Sequence, residues 1–320
     1  MRKLLIILLL LFLPVSVEAA SSYAVVDAET GRVLMGEAEN TRHPIASLTK
    51  MWTALVAIEE GNLNDTVTIS KKAVYSEGSS IYLQEGDQYK LEELLYGLML
   101  RSGNDAATAI AEHVGGSVEG FVKLMNDKAV LYGLNGTTFA NPSGLHHETH
   151  LATAADTARM LQIAMKNETF RKIASTVVYN GSRTVWHNKH KLLADNVGAI
   201  AGKTGYTKVA GRTLATYFER DEKAFAVVTI NESNDWEMHK LMADTVNQLY
   251  KNYTLVDAGE YLIPNATIKI EKPITLLLTE QERENIEHML VARRDYKRAI
   301  WHVTLDDDIL YSRAVSIEED

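Results

Sequence analysis

Apolar residues change their spacing along this 320-residue chain, and the changes predict the order of its helices and strands. Residues 22–37 have the pattern of a β-hairpin. Apolar residues then recur every three or four positions after Ser47 and again over residues 91–132, which predicts helices that each bury one face. Strand patterns return at 176–179, 203–207, 213–219 and 224–231, and a helical pattern follows over 235–250.

Strands at both ends of this region, with helices between them, predict an α+β fold. We expect one antiparallel sheet that is covered by helices. The N-terminal and C-terminal strands of the region should be neighbours in that sheet, because connections in such folds are short and rarely cross.

The pattern changes at residue 252, where short strand-like runs replace the longer elements. We therefore expect a small C-terminal β-rich domain over residues 252–320, after a main domain over residues 20–251. Residues 280–294 are the one further helical candidate in this part of the sequence. The strand-like runs lie at 262–265, 267–270 and 274–278.

Residues 1–19 have the features of a signal peptide: two basic residues, an apolar run over 4–13, and a cleavage site expected after Ala19. The apolar run is too short to span a bilayer comfortably, so we expect cleavage rather than a retained anchor. Residues 305–320 are acidic, and an anionic membrane surface would repel them. The mature protein is therefore expected to be soluble outside the cytoplasmic membrane, in the cell wall or periplasm, without stable membrane insertion.

Composition excludes some classes of function. The chain has no cysteine, which rules out disulfides and thiol chemistry. Its formal net charge is −9, so nucleic acid is not an expected partner. Hydrophobic residues make up 46% of the chain, which is enough to bury a sizeable core.

Three short strings carry the chemistry: Ser-Leu-Thr-Lys at 47–50, Ser-Gly-Asn at 102–104 and Lys-Thr-Gly at 203–205. Each string alone also fits an ordinary structural role, as a helix cap, a break between helices or an edge strand with a lysine. Their order and wide separation make coincidence improbable. Together they indicate a serine acyl-transfer site in which lysines handle the protons.

Ser47 is expected to start a helix, where free N–H groups and the helix dipole favour the negative charge that develops during attack on a carbonyl. Lys50 lies one turn further on the same face, within reach of the Ser47 hydroxyl. Lys50 must be neutral to accept the hydroxyl proton. Burial and a second cation such as Lys203 would lower its pKa toward that state.

The other two strings supply binding groups. Ser102 and Asn104 lie at a break between two helices, where Ser102 can relay a proton to the leaving amine and Asn104 can bind the substrate backbone. Lys203 and Thr204 can hold a carboxylate by charge and hydroxyl. Gly205 leaves room for a peptide along an edge strand that turns into a hairpin.

The chain resembles the low-molecular-mass penicillin-binding proteins, the serine-type D-alanyl-D-alanine carboxypeptidases of the peptidase S11 family. This resemblance implies a β-lactamase/transpeptidase-like fold, an acyl-enzyme on Ser47, and an oxyanion site between the N–H groups of Ser47 and Tyr206. It also implies two partners: peptidoglycan stem peptides that end in D-Ala-D-Ala, and β-lactams as covalent inhibitors. Further similar segments lie at 23–34, 78–83, 138–145 and 153–156.

Other activities on the same motifs have to be weighed. A class A β-lactamase adds a Glu-x-x-x-Asn segment that activates water. Here Glu148 is followed four residues later by Ala152, and Glu168 by Lys172, so efficient β-lactam hydrolysis is not expected. A D,D-endopeptidase or transpeptidase on this scaffold, and a non-catalytic wall-peptide-binding protein, remain alternatives.

A histidine cluster at His146, His147 and His150 raises the question of zinc. The cluster follows a turn and lacks the His-Glu-x-x-His order of a zinc helix. We therefore expect a structural role, in which His150 caps or orients the following helix, and neither a metal nor a cofactor. His187 and His190 are expected at the surface or at the rim of the cleft.

Overall fold

The computed structural model describes residues 21–263, 266–292 and 297–319, so the expected signal peptide at 1–19 lies outside the described residues. The helices are α1 (Thr49–Glu60), α2 (Lys71–Val74), α3 (Leu91–Tyr96), α4 (Asn104–Gly115), α5 (Val118–Leu131), α6 (Ala154–Met165), α7 (Glu168–Ala174), α8 (Asp235–Leu249) and α9 (Glu280–Glu284). The strands are β1 (Ser22–Asp27), β2 (Val33–Glu37), β3 (Thr66–Thr68), β4 (Gln88–Lys90), β5 (Val178–Asn180), β6 (Val185–His187), β7 (Ala199–Thr207), β8 (Gly211–Arg220), β9 (Lys223–Ile230), β10 (Lys251–Val256), β11 (Gly259–Ile263), β12 (Ala266–Ile270), β13 (Ile274–Leu278), β14 (Ile286–Ala292), β15 (Arg298–Leu305) and β16 (Asp308–Glu319).

The central sheet has the strand order β2-β1-β9-β8-β7, and its neighbouring strands are antiparallel. β1 from the start of the chain pairs with β9, with Tyr23 opposite Thr229. This confirms the prediction that the terminal strands of the region are neighbours. β7 lies at one edge of the sheet, as predicted, although it begins at Ala199 rather than at Lys203.

Helices cover both faces of this sheet. Apolar side chains of one face, including Val26 and Val228, pack in a core with α1, α4 and α6. The opposite face, including Val25 and Phe225, packs against α8. Covering both faces explains why six consecutive residues of β8 are buried, since a half-exposed strand would alternate. The predicted α+β architecture is confirmed.

The strand expected at 176–179 forms as β5, which pairs with β6 in a two-stranded hairpin outside the central sheet. The Tyr179 ring stacks on Tyr96, with 3.8 Å between the ring centroids. Trp186 of β6 is buried beside Gly97. These aromatic contacts hold the hairpin against the end of α3, immediately before the Ser102 segment.

The C-terminal part of the chain is β-rich, as predicted. β11, β12, β16, β15 and β14 form a second five-stranded sheet, β10 pairs with β13, and these strands share a core of their own. The prediction of a helix over 280–294 is wrong in its second half. The helix α9 ends at Glu284, and β14 pairs with β15 from Ile286 onward. Thr279 and Glu282 form a capping box that starts α9, but ladder hydrogen bonds outweigh helix propensity in the second half.

Contacts join the two parts of the chain. Arg32, in the turn between β1 and β2, donates to Glu282 Oε1 at 2.6 Å and to the Leu277 carbonyl at 2.8 Å. Just before the boundary, and within the main part of the chain, the Tyr250 hydroxyl donates to the Leu34 carbonyl at 2.6 Å. Within the described ranges, the helices are all too short or too polar to cross a membrane.

Candidate active site

Ser47 lies in a short 3-10 turn, Ala46–Leu48, that leads directly into α1. The prediction that Ser47 starts a helix is therefore correct in place, but the first turn is not α-helical. Ala46 has a φ of 49°, a left-handed conformation that a non-glycine residue rarely adopts and that often marks a functional turn. This backbone bend lies at the start of the turn, immediately before Ser47, and the turn then continues into α1.

Lys50 lies beneath Ser47 and is completely buried. Its Nζ donates to Ser47 Oγ at 3.1 Å and to the Ser143 carbonyl at 2.5 Å. Burial lowers the pKa of Lys50 well below its usual range, and the positive charges of Lys203 and Lys189 lower it further, while Asp105 opposes the shift. A lysine held in this way can be neutral at a pH where an exposed lysine is an ammonium.

Strand β7 brings the third motif against this turn. A Cβ atom on Gly205 would lie 2.4 Å from Thr213 Oγ1 and 2.9 Å from the Ser47 backbone nitrogen, so glycine allows the strand to approach closely. Thr204 is half-buried and Tyr206 is exposed. The predicted proximity of the first and third motifs is therefore present in the structure.

Lys203 is also buried, with 1% of its surface exposed. Its Nζ donates to the adjacent Thr204 carbonyl at 2.9 Å. Burial, and to a smaller extent the charge of Lys189, lower the pKa of Lys203 to about 7. The charge of this side chain therefore changes close to neutral pH, a property that the sequence did not indicate.

The second motif follows a π-helical turn at Gly97–Arg101, and Ser102 takes a left-handed conformation with a φ of 65°. Asn104 begins α4, and its Nδ2 donates to the Glu77 carbonyl at 2.5 Å. Ser102 Oγ and Asn104 Oδ1 are buried and have no hydrogen-bond partner among the described residues. Either atom can therefore take a hydrogen-bond partner without breaking a bond within the described part of the protein.

The motif serines and the third motif meet in one cleft of about 500 Å³. Lys50, Asn104 and Lys203 are buried behind this surface rather than exposed on it. The cleft residues predicted from the sequence are Ser47, Ser102, Thr204, Gly205 and Tyr206. The cleft residues that the sequence did not reveal are Ser79, Lys189, Lys191, Arg212, Thr213, Asp235 and Trp236.

Two of the missed residues, Arg212 and Asp235, form a two-point ion pair at the cleft, with N–O distances of 2.6 and 3.2 Å. Lys191 lies 6.0 Å from the centre of the Trp236 ring. Neither pair forms a local motif, because each joins residues from different elements. A search for basic residues close to the Lys-Thr-Gly string would have found Arg212, but nothing in the sequence places it beside Asp235.

Asp105 is a further residue that sequence reasoning missed. Its buried carboxylate accepts hydrogen bonds from Ser80 Oγ at 2.6 Å and from the backbone N–H groups of Ile81, at 3.1 and 3.0 Å, and Leu83, at 3.2 Å. These bonds attach the loop over residues 79–83 to the start of α4. Asp105 thus fixes one wall of the cleft next to Asn104.

His187 is exposed, as predicted, whereas His150 and His190 depart from their predicted roles or positions. His150 is buried and bonds to Thr49 of α1, whereas the helix that follows it, α6, is capped by Thr153. His190 is buried beneath β8 rather than at the rim, and its Nε2 lies 2.9 Å from Thr216 Oγ1. In the parts of the chain that the structure describes, no group of three or more His, Cys, Asp or Glu side chains could hold a metal ion.

Comparison with known proteins agrees with this geometry. The family model described as D-alanyl-D-alanine carboxypeptidase, peptidase S11, matches residues 14–234. The D-alanyl-D-alanine carboxypeptidase DacF of Bacillus subtilis is 33% identical over 244 residues, which are 73% of this chain and 63% of that protein. This chain therefore spans somewhat less than two thirds of that relative.

Solved structures extend the likeness. A D-alanyl-D-alanine carboxypeptidase from Mycobacterium tuberculosis has a TM-score of 0.68 and 32% identity, over 71% of this chain and 90% of that one. Penicillin-binding protein 5 from Haemophilus influenzae has a TM-score of 0.78 over 93% of this chain and 96% of that one, but 22% identity, and so supports the fold alone. With Ser47 in contact with the buried Lys50 and a family match over most of its length, this chain belongs to the peptidase S11 family.

Proposed function

We propose that this protein is a serine-type D-Ala-D-Ala carboxypeptidase that removes the terminal D-alanine from peptidoglycan stem peptides through an acyl-enzyme on Ser47. The observation that carries the proposal is the 3.1 Å contact between Lys50 Nζ and Ser47 Oγ, made by a fully buried lysine. A surface serine and lysine would not need this arrangement, because burying an amine is costly unless the buried state has a use.

The substrate's terminal carboxylate would be held by the Lys203 charge and the Thr204 hydroxyl. Neutral Lys50 takes the Ser47 proton, and Ser47 Oγ attacks the penultimate carbonyl carbon. The N–H groups of Ser47 and Tyr206 would stabilise the oxyanion. The close approach of Gly205 to the Ser47 nitrogen supports this placement, because it brings the two backbone segments together.

Collapse of the tetrahedral intermediate breaks the C–N bond, and the departing amine takes a proton through Ser102. Lys50, protonated in the first step, is the source of that proton. Water then hydrolyses the ester and restores Ser47. Ser102 Oγ suits this relay because it is buried and has no partner among the described residues. Asn104 would bind the backbone of the acyl part.

We further propose that residues 1–19 are removed on export, that residues 252–320 form a separate small domain, and that the mature protein acts outside the cytoplasmic membrane without stable insertion. The family match supports an extracytoplasmic role, since D-Ala-D-Ala is a cell-wall substrate. The separate core of the C-terminal strands supports the division into domains.

One experiment tests the activity. The mature protein is incubated with a diacetylated tripeptide that ends in D-Ala-D-Ala, and separately with labelled penicillin, with Ser47→Ala as the control. The proposal predicts free D-Ala and a label on Ser47, both absent from the control. Labelling without D-Ala release would favour an endopeptidase or a transpeptidase that needs an acceptor amine. The absence of both D-Ala release and labelling would favour the non-catalytic binding protein.

A further inference from the structure

His150 connects two segments that meet behind the nucleophile. Its side chain is 3% exposed, its Nε2 lies 2.8 Å from Thr49 Oγ1, and its Nδ1 lies 3.2 Å from the Ala140 backbone nitrogen. The Ala140 N–H can only donate, so Nδ1 must be the acceptor. The ring is then neutral with its proton on Nε2, which donates to Thr49.

The Thr49 hydroxyl connects His150 to the turn that contains Ser47. It accepts from His150 and donates its own proton to the Ala46 carbonyl at 2.8 Å. Ala46 is the residue with the left-handed backbone immediately before Ser47. The hydrogen bonds therefore run in one direction, from the Ala140 N–H through His150 and Thr49 to the strained peptide that sets the position of Ser47.

We propose that His150 is a positioning residue for Ser47, acting through Thr49 on the Ala46 carbonyl, a role that rests on the acyl-transfer function proposed above. Such a residue does not touch substrate. It holds the backbone of the Ser47 turn in the conformation that places Oγ beside Lys50. An error of about 1 Å in such a position can lower a rate by roughly 100-fold.

The three hydrogen bonds from the Ala140 N–H through His150 and Thr49 to the Ala46 carbonyl are called the His150 relay below. This relay works only while the ring is neutral, because a protonated Nδ1 would place an N–H against the Ala140 N–H. The surroundings favour the neutral ring. Burial lowers the pKa of His150 to about 4, and the nearby charges of His147, Lys50 and His146 act in the same direction. The Phe139 ring covers another side at 5.6 Å between centroids. The relay should therefore persist at neutral pH and fail near pH 4.

Four variants test the relay: His150→Phe, Thr49→Val, the double variant, and His150→Gln. Phenylalanine and valine fill the space without the hydrogen bonds, whereas glutamine can accept from Ala140 and donate to Thr49 without titrating. His146→Gln, on an exposed residue of the same loop, is the matched control. The measurements are the acylation rate with labelled penicillin and the kcat and KM for the D-Ala-D-Ala peptide.

We expect His150→Phe and Thr49→Val each to lower acylation and kcat by about 10- to 100-fold with little change in KM. The double variant should lose no more than either single variant, because both break one chain of bonds. His150→Gln should recover most of the rate, and its rate relative to wild type should rise as the pH falls through 4. Additive losses, a loss confined to KM, or unchanged rates in folded variants would overturn the proposal.

A spectroscopic readout separates this proposal from the function on which it rests. Long-range ¹H–¹⁵N spectra of the histidine rings should show His150 as the neutral Nε2–H tautomer at pH 7, and Thr49→Val should shift its Nε2 signal. If wild type neither releases D-Ala nor binds penicillin, the proposed function fails while these spectra still test the relay. An Nδ1–H tautomer, or a His150 signal that ignores Thr49→Val, would refute the relay whatever the activity.

Discussion

Gly144 lies directly against Ala46, so that a Cβ atom on Gly144 would sit 1.9 Å from the Ala46 carbonyl oxygen. The φ of Gly144 is 83°, in the left-handed region. The segment over residues 141–145 therefore supports the Ser47 turn from one side, and the neighbouring Ser143 carbonyl accepts from Lys50. Steric contact and a lysine hydrogen bond come from the same turn.

The first prediction is that Gly144→Ala lowers both stability and acylation. The added methyl group must displace backbone, and alanine is strained at this φ, so a loss of roughly 2 to 5 kcal/mol in the free energy of unfolding is expected. Gly133→Ala is the control, because Gly133 has a similar φ of 72° but nothing within 4 Å of its added Cβ. The control should lose about 1 kcal/mol and keep its acylation rate. Urea unfolding and penicillin labelling measure both effects, and equal effects of the two substitutions would contradict the steric argument.

The second prediction concerns Lys203. Lys203→Ala should lower kcat/KM far more for peptides with a free terminal carboxylate than for the same peptides with an amidated terminus. A hydrogen bond to a charged group contributes roughly 1.5 to 3 kcal/mol, which corresponds to a loss of about 10- to 150-fold in kcat/KM for the acid alone. Lys191→Ala removes an exposed cation of the same cleft and controls for general charge effects. Equal losses for acid and amide would show that Lys203 does not bind the carboxylate.

The third prediction is a difference in pH dependence between these two substrates. Lys50 must be neutral to act as a base, so kcat should rise with pH through a pKa well below the usual lysine value. Lys203 has a pKa of about 7 and loses its charge above it, so KM for the carboxylate peptide should rise there. The kcat/KM of the acid should therefore pass through a maximum, while that of the amide keeps rising. Identical profiles, or an acylation rate that survives Lys50→Ala, would exclude these assignments.

The fourth prediction concerns stability in acid. Burial lowers the pKa of His190 to about 4 and that of His239 well below its usual range, whereas an unfolded histidine titrates near 6.5. The unfolded state therefore binds more protons between these values. The stabilisation from the neutral rings is complete above about pH 6.5 and is lost as the pH falls toward 4.

Melting temperatures between pH 7 and pH 4 measure this effect. His239→Gln should flatten the decline, because glutamine can bond to Thr216 and Thr229 as His239 does and does not titrate. His187→Gln, on an exposed histidine, should leave the slope unchanged. A slope that is the same in all three proteins would show that buried histidines do not limit stability in acid.

The local spacing of apolar and turn residues in the sequence was enough to predict the main helices and strands. The β1–β2 hairpin, the break at Ser102, the edge strand with Lys203 and the pairing of β1 with β9 all follow from apolar periodicity, turn residues and the order of strands. The segment over 286–292 could not be judged in this way. Its residues fit a helix locally, and only β15 beside it provides the hydrogen bonds that make it a strand.

The sequence by itself determined which side chains perform the proposed chemistry, because three motifs in a fixed order name Ser47, Lys50 and Lys203 without any knowledge of contacts. Only the tertiary structure decided the protonation state of these side chains. The pKa of Lys50 depends on burial and on Lys203, which is distant in the chain. The hydrogen-bond partners of Asp105 and His150 likewise come from distant parts of the chain. A local sequence pattern shows neither such contacts nor the burial and charge that act through space.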